Sequence, residues 1–184
     1  MRLFIASPIS AEVEKELTRV IAALTSSGGP VKWVAPSNIH LTLKFLGEAD
    51  EQLLPDLRLI IDETAKKHKA VESGLSGLGA FPNLNRARVY WVGLAGGKEQ
   101  LASIARDLEN KVYKLGFEKE NRPFKSHLTL GRVKTPQGLQ KHNDVVIATK
   151  VSQILFKFDR IILFKSTLTP GGPIHDFLHE AVMK

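Results

Sequence analysis

Twice in this chain of 184 residues a histidine stands two places ahead of a threonine. The first copy is His40-Leu41-Thr42-Leu43 in "NIHLTLKFLG", and the second is His127-Leu128-Thr129-Leu130 in "KSHLTLGRVK". Side chains alternate across a β-strand. His40 and Thr42 therefore share one face, and Leu41 and Leu43 share the other. The same holds for His127 and Thr129 against Leu128 and Leu130. With the leucines in a core, each opposite face presents an imidazole beside a hydroxyl. Two such faces turned toward each other suit a displacement at phosphorus. A neutral imidazole removes a proton from the attacking oxygen, and a protonated one delivers a proton to the leaving oxygen. An unperturbed pKa near 6.5 fits histidine to both tasks. The threonine hydroxyls can donate to the non-bridging phosphate oxygens, so this chemistry calls for no metal. Arg132, five residues beyond His127, is assigned to the same face and would stabilise phosphoryl charge. Lys125 is a weaker candidate for that task.

A single H-x-T strand is ordinary, because threonine favours strands and a histidine can close a half-exposed one. The elements around the two copies decide the matter. "RLFIASPI" reads as a strand. A helix follows, N-capped by Ser10, with Val13, Leu17, Val20, Ile21 and Leu24 at helical spacing and Gly28-Gly29-Pro30 at its end. "VKWVAP" is a short extended piece leading to the first H-x-T strand, which Gly47 closes. A second helix covers about Asp50 to His68, with Pro55 in its first turn. "VESGLSGLGAFP" is extended, and "ARVYWVGLAG" is a strong strand. A third helix, through Leu101, Ile104, Ala105, Leu108 and Val112, stops at Gly116. After the second H-x-T strand come a polar, partly helical segment from Pro136 to Lys150, a β-rich stretch "SQILFKFDRIILFKSTLT", and a last strand "IHDFLHEAVM". The intervals Arg2 to His40 and Arg88 to His127 are nearly equal in length. Each contains an apolar strand, an amphipathic helix, a short connection and an H-x-T strand. This is a diverged internal repeat, and it predicts an α+β fold. Two similar lobes would face each other about an approximate two-fold axis.

Composition sets the class. Apolar residues are 43% and charged residues 24% of the chain, enough apolar material for a core without covalent staples. There is no cysteine, which excludes disulfides, thiolate metal sites and cysteine nucleophiles. No apolar run is long enough to span a membrane, and "MRLFIASPIS" enters the folded pattern too early for a signal peptide. A cytoplasmic protein is the simplest reading. Lys and Arg number 26 against 19 acids, and a net charge of +7 favours a polyanionic partner such as RNA.

The blocks "VKWVAPSNIHLTLKFLGE" and "RPFKSHLTLGRV", together with the opening "RLFIASPI" and the closing "LFKSTLTPGGPIHDFL", resemble the 2H phosphoesterase superfamily. The resemblance covers nearly the whole chain. It is greatest to the RNA 2',3'-cyclic phosphodiesterases, also called 2'-5' RNA ligases. It implies one domain over residues 1–184, bilobal and α+β, with antiparallel sheets lining a central cleft and helices outside. It implies that His40 is the proton donor and His127 the base that activates water, with Thr42, Thr129 and Arg132 binding the phosphate. RNA ending in a 2',3'-cyclic phosphate, such as a tRNA fragment, or a nucleoside 2',3'-cyclic phosphate would open to a 2'-phosphomonoester. A monomer without cofactor is expected. One departure is His175, where the family pattern leads to tyrosine after the Gly-Pro turn.

Other readings compete. The same acid-base pair could run in reverse as a ligase, joining a cyclic-phosphate end to a 5'-hydroxyl. The chain could also bind RNA ends without turnover, although paired H-x-T motifs exceed what binding needs. His175 and His179 stand four apart, as on a zinc-binding helix, but "HDFLH" lacks the Glu of H-E-x-x-H and falls on a strand. His68 is read as a solvated helix end, and His142 carries no signal. "VGLAGGKE" is not a P-loop, because Val92 and Glu99 occupy its first Gly and its Ser/Thr positions.

Overall fold

The computed structural model describes residues 1–184, apart from the side chain of Lys141. Its strands, in chain order, are β1 Arg2–Pro8, β2 Val31–Trp33, β3 His40–Glu48, β4 Val71–Phe81, β5 Val89–Ala95, β6 His127–Val133, β7 Leu155–Phe158, β8 Arg160–Thr169 and β9 Gly172–Val182. The α-helices are α1 Ala11–Thr25, α2 Leu54–Lys67, α3 Lys98–Tyr113 and α4 Leu139–Ala148. Local chemistry accounts for their ends. The Ser10 hydroxyl accepts the Val13 N–H at 3.3 Å, and Glu12 and Glu14 follow in the favourable first turn of α1. Pro55 falls in the first turn of α2, where its missing N–H has no intrahelical partner to lose. The polar segment after β6 forms α4.

The strands build two antiparallel sheets, ordered β3-β1-β8-β9 and β2-β6-β5-β4-β7. The repeat is visible in this order. In the first sheet β3 lies beside β1, and in the second β6 lies beside β5, each pair joined through its helix, α1 or α3. The next neighbours are exchanged. β4, continuous with the N-terminal half, pairs with β5, while β8, from the C-terminal half, pairs with β1. The chain changes sheets at Asp159, so the β-rich stretch that reads as one run divides into β7 and β8. Helices α2 and α3 pack together, α2 lies against β8 and β9, and α3 lies against β3.

The four motif leucines are at most 5% exposed. They join one contiguous core with Leu3 and Ile5 of β1, Tyr90, Val92 and Leu94 of β5, and the inner faces of α1, α2 and α3. Burial of this apolar surface is the main stabilising term.

Strand alternation is broken at the same place in each motif strand, and β3 has a second irregularity further on, at Leu46. Between the pairs Ile5↔Lys44 and Ala6↔Thr42, β3 carries one extra residue, Leu43. Between Tyr90↔Gly131 and Trp91↔Thr129, β6 carries one extra residue, Leu130. Such bulges re-aim every side chain beyond them. In β3 the bulge turns Lys44 inward, where it is 4% exposed. Its ammonium donates to Glu109 Oε1 on α3 at 3.3 Å and to the Glu118 carbonyl at 2.9 Å. Glu109 in turn accepts the Glu120 N–H at 2.8 Å. A strand of the N-terminal half thus anchors the segment leading into β6. A second buried carboxylate, Glu16, accepts both Arg19 nitrogens and the Ser152 N–H, joining α1 to the chain after α4. These bonds hold its pKa down at about 2, mainly through Arg19 and against the opposing effect of burial.

Removing one partner of a buried ion pair strands the other charge. Glu109→Ala is expected to lower unfolding free energy by roughly 3 kcal/mol. Lys44→Met, which removes the charge itself, should cost clearly less. Urea denaturation of the two variants checks the order.

Candidate active site

His40 opens β3 and His127 opens β6, so each imidazole sits where its strand emerges from an irregular segment. His40 lies on an aromatic bed. Its ring stacks on Phe4 of β1 with centroids 4.8 Å apart, and Phe4 stacks in turn on Phe164 of β8 at 5.1 Å. His127 is set by a different contact. Its Nδ1 lies 2.6 Å from the Lys125 carbonyl, which can only accept, so Nδ1 carries the proton. In the neutral ring Nε2 is then a free lone pair. The edge of Phe81 meets the same ring at 4.9 Å between centroids. Lys125 therefore contributes its carbonyl, while its ammonium lies over Phe81, 5.8 Å from the ring centre.

A cavity of about 310 Å³ joins the sheets. His40, Thr42, Thr129 and Arg132 all line it. His127 stands one alternation from Thr129 on the same strand face and is not among the residues that line the cavity. Five residues is an odd step, and in an unbroken strand Arg132 would point with the leucines. The Leu130 bulge corrects the phase and turns Arg132 toward the cavity. Its assignment to the His127 face thus holds for a reason that counting from the motif does not supply.

The lining includes side chains that the motif does not reveal. Arg2 comes from β1, Phe45 from β3, Ser166 and Leu168 from β8, and Pro173 and His175 from β9. Asn38 also lines it, and its side-chain amide donates to the Pro173 carbonyl at 3.0 Å, tying the approach to β3 to the β8–β9 turn. Apart from His175, which departs from the family pattern, no signal in the sequence separates these positions from other strand residues, because they enter through pairing between distant segments. Arg2 and Arg132 bring positive charge, and no carboxylate is among the lining residues. Such a cavity attracts anions.

Several histidines differ from expectation. His68, read as solvated, bonds Asp107 through Nε2 at 3.1 Å and is mostly covered at the end of α2. His142, which gave no signal, is 1% exposed, bonded to Ser27 Oγ through Nδ1 at 2.5 Å and packed against Trp33 and Tyr90. His175 and His179 do lie on a strand. An extra residue at Leu178 sends them to opposite sides, His175 to the cavity and His179 to Asp62 of α2 at 2.7 Å. Among the described residues, no group of three or more His, Asp or Glu side chains is placed to hold a metal ion.

Burial governs the electrostatics. It pushes His40 down to about 4, helped by repulsion from His175 and opposed by a backbone hydrogen bond to Asn38. Burial also lowers His127, against the bond to the Lys125 carbonyl and with the Arg132 charge adding to the effect. Both rings are therefore neutral in the empty cleft near pH 7. A base is ready in that state, whereas an acid needs an incoming anion to favour its charged form. Binding of sulfate, which does not titrate in this range, is expected to be accompanied by net proton uptake at pH 6–7. Calorimetry in buffers of different ionisation enthalpy measures it. Independently, His40, His127, His142 and His175 all have lowered pKa values, mainly through burial. A lowered histidine binds fewer protons folded than unfolded. Its stabilising contribution is present above about pH 6.5 and is lost as pH falls toward the folded pKa, about 4 for His40. The melting temperature should drop across that window.

No helix among the described residues is long and apolar enough to cross a membrane. The model of the LigT-like phosphoesterase family matches the chain twice, over residues 8–91 and 92–175, each match containing one H-x-T motif. The RNA 2',3'-cyclic phosphodiesterase of Methanocaldococcus jannaschii is 36% identical over 181 residues, covering 98% of this chain and 99% of that protein. That of Thermotoga maritima is 33% identical, covering 98% and 94%. The crystal structure of a Thermus thermophilus protein superposes with a TM-score of 0.83 at 28% identity, covering 100% and 98%. Escherichia coli LigT, in its complex with 3'-AMP, has the same fold, with a TM-score of 0.78 at 23% identity over 99% and 97% of the two chains. The sequence repeat, the matched sheets and both H-x-T strands thus have one common explanation: the chain belongs to the LigT-like phosphoesterase family.

Proposed function

We propose that the chain is an RNA 2',3'-cyclic phosphodiesterase that opens a terminal cyclic phosphate to a 2'-phosphomonoester without a metal, using His40 and His127 as acid and base. The observation that carries this reading is the convergence of Thr42 and Thr129, from equivalent points of two strands in different sheets, on one cavity with His40 and Arg132. The names of relatives that align over nearly their full length support the substrate class.

In this scheme the cyclic phosphate sits between the two threonine hydroxyls, with Arg132 balancing its charge. His127 Nε2 takes a proton from water, whose oxygen forms a bond to phosphorus. The bond from phosphorus to the 3'-oxygen breaks, and His40 gives that oxygen a proton. The phosphate stays on the 2'-oxygen. The Lys125 carbonyl favours this direction of transfer, because it holds the His127 proton on Nδ1 and leaves Nε2 as the base. The basic cavity also suits RNA ends of several sequences. Residues 1–184 would act as one domain, since both halves supply catalytic groups.

His40→Ala and His127→Ala should each lose most turnover of a nucleoside 2',3'-cyclic phosphate while remaining folded. Full activity in either removes that residue from the mechanism. Thr42→Ala and Thr129→Ala should each cost on the order of 1–3 kcal/mol in transition-state stabilisation, read from kcat/KM. Activity should persist in EDTA, with a bell-shaped pH profile belonging to the coupled pair. Phosphorus NMR of the product identifies the 2'-monoester; a 2'-5' linkage formed from tRNA halves would instead mark ligation.

A further inference from the structure

A third imidazole stands in the cleft, and the two-histidine scheme gives it no task. His175 of β9 lines the same cavity as His40, and the ring centroids are 5.5 Å apart in an edge-to-face arrangement. Both rings rest on Phe4, His40 stacked upon it and His175 meeting it edgewise at 4.9 Å, with Phe164 6.1 Å from His40 and 6.4 Å from His175. This apolar bed keeps water from one side of both rings. His175 Nδ1 is buried without a hydrogen-bond partner. A structural histidine in a folded interior normally satisfies its ring nitrogens. Trp91 Nε1 and His142 Nε2 are also unpartnered, but of the three only His175 lines the cavity beside a second imidazole.

Two positive charges at this separation, in a poorly solvated cleft, repel each other strongly. The neighbours deepen the conflict. Arg2 from β1 and Arg132 from β6 line the same cavity, and His127 lies two residues before Thr129, which also lines it. On the opposite side of the balance stand a hydrogen bond that the His40 ring donates to the Asn38 backbone and the negative charge of Asp176 beside His175. Ser166 of β8 and Thr42 of β3 are neutral.

We propose that His40 and His175 can hold at most one proton between them in the empty cleft, which makes His175 a positioning residue that controls when His40 can be charged. The inference rests on His40 serving as the acid. Asp176 favours the charged form of His175, so as pH falls His175 takes the first proton and His40 stays neutral. The bound anion then offsets the repulsion, and His40 can take up the proton it donates. A proton donor charged only with substrate in place results. Tyrosine at this position, neutral near pH 7, could not supply that control.

His175→Phe keeps an aromatic ring on Phe4 and removes the charge. Proton NMR titration of the His40 ring reads the outcome without any turnover. His40 is expected to take its proton at a higher pH in the variant than in the wild type, with an affinity gain of about threefold or more. The alkaline limb of kcat, where the proton donor loses its proton, should move the same way. His175→Gln, a second neutral substitution, should reproduce the direction if His175→Phe folds poorly. An unchanged His40 midpoint in a folded variant overturns the proposal, whatever the activity. Absence of cyclic-phosphate turnover in the wild type would instead overturn the functional reading and leave the NMR result standing.

Discussion

Alternation of side chains fails just past the threonine of each motif, in β3 and in β6 alike, and much of the cleft depends on those two matched irregularities. A regular strand would carry histidine, threonine and every second residue after them on one face. The extra residue after Thr42 turns Lys44 into the interior, where Glu109 and the Glu118 carbonyl hold it. The extra residue after Thr129 turns Arg132 toward the cavity. Equivalent bulges therefore have different uses in the two halves. One serves the joint between the halves and the other brings a cation to the cavity. A one-residue change of phase costs local ladder bonds. Here it lets a short strand place a core leucine, a cavity-lining hydroxyl and a cation within six residues.

The same geometry explains how much was legible in the sequence. The alternation of "HLTL" announces both the buried leucines and the polar face, because two residues suffice to establish a period. The repeat of strand, helix and motif announces two equivalent units. Helix α1 is evident from Ser10 and the spacing of its apolar residues, and α3 from its apolar face. Bulges leave no comparable mark. Leu43 and Leu130 look like any core leucine, so the destinations of Lys44 and Arg132 cannot be counted out along the chain. The split of "SQILFKFDRIILFKSTLT" between two sheets is hidden for a similar reason. Asp159 is an ordinary turn residue, and only strand pairing decides that β7 and β8 part there.

Long-range pairing also decides which histidines matter. His142 sits in a polar stretch yet is enclosed by Trp33 and Tyr90, residues far away in the chain. His175 and His179 belong to one short segment, but Leu178 sends one to the cavity and the other to α2. Neighbours in sequence thus end in unrelated environments. The cleft gathers its members from the first strand to the last. Its electrostatic character, cationic and without lining carboxylates, belongs to the assembled surface rather than to any single stretch.

The exchanged strands bear on how such a chain comes into being. β1 is an inner strand of its sheet, flanked by β3 on one side and by β8 on the other. The first flank emerges soon after β1 during synthesis, whereas the second belongs to the last 25 residues of the chain, counted from Arg160 to Lys184. Until then one edge of β1 is open and able to pair with another molecule. Contacts this far apart in sequence form slowly. Nascent chains of this architecture must therefore keep an apolar edge unpaired through most of translation, a hazard that a protein made of two self-contained repeats would avoid.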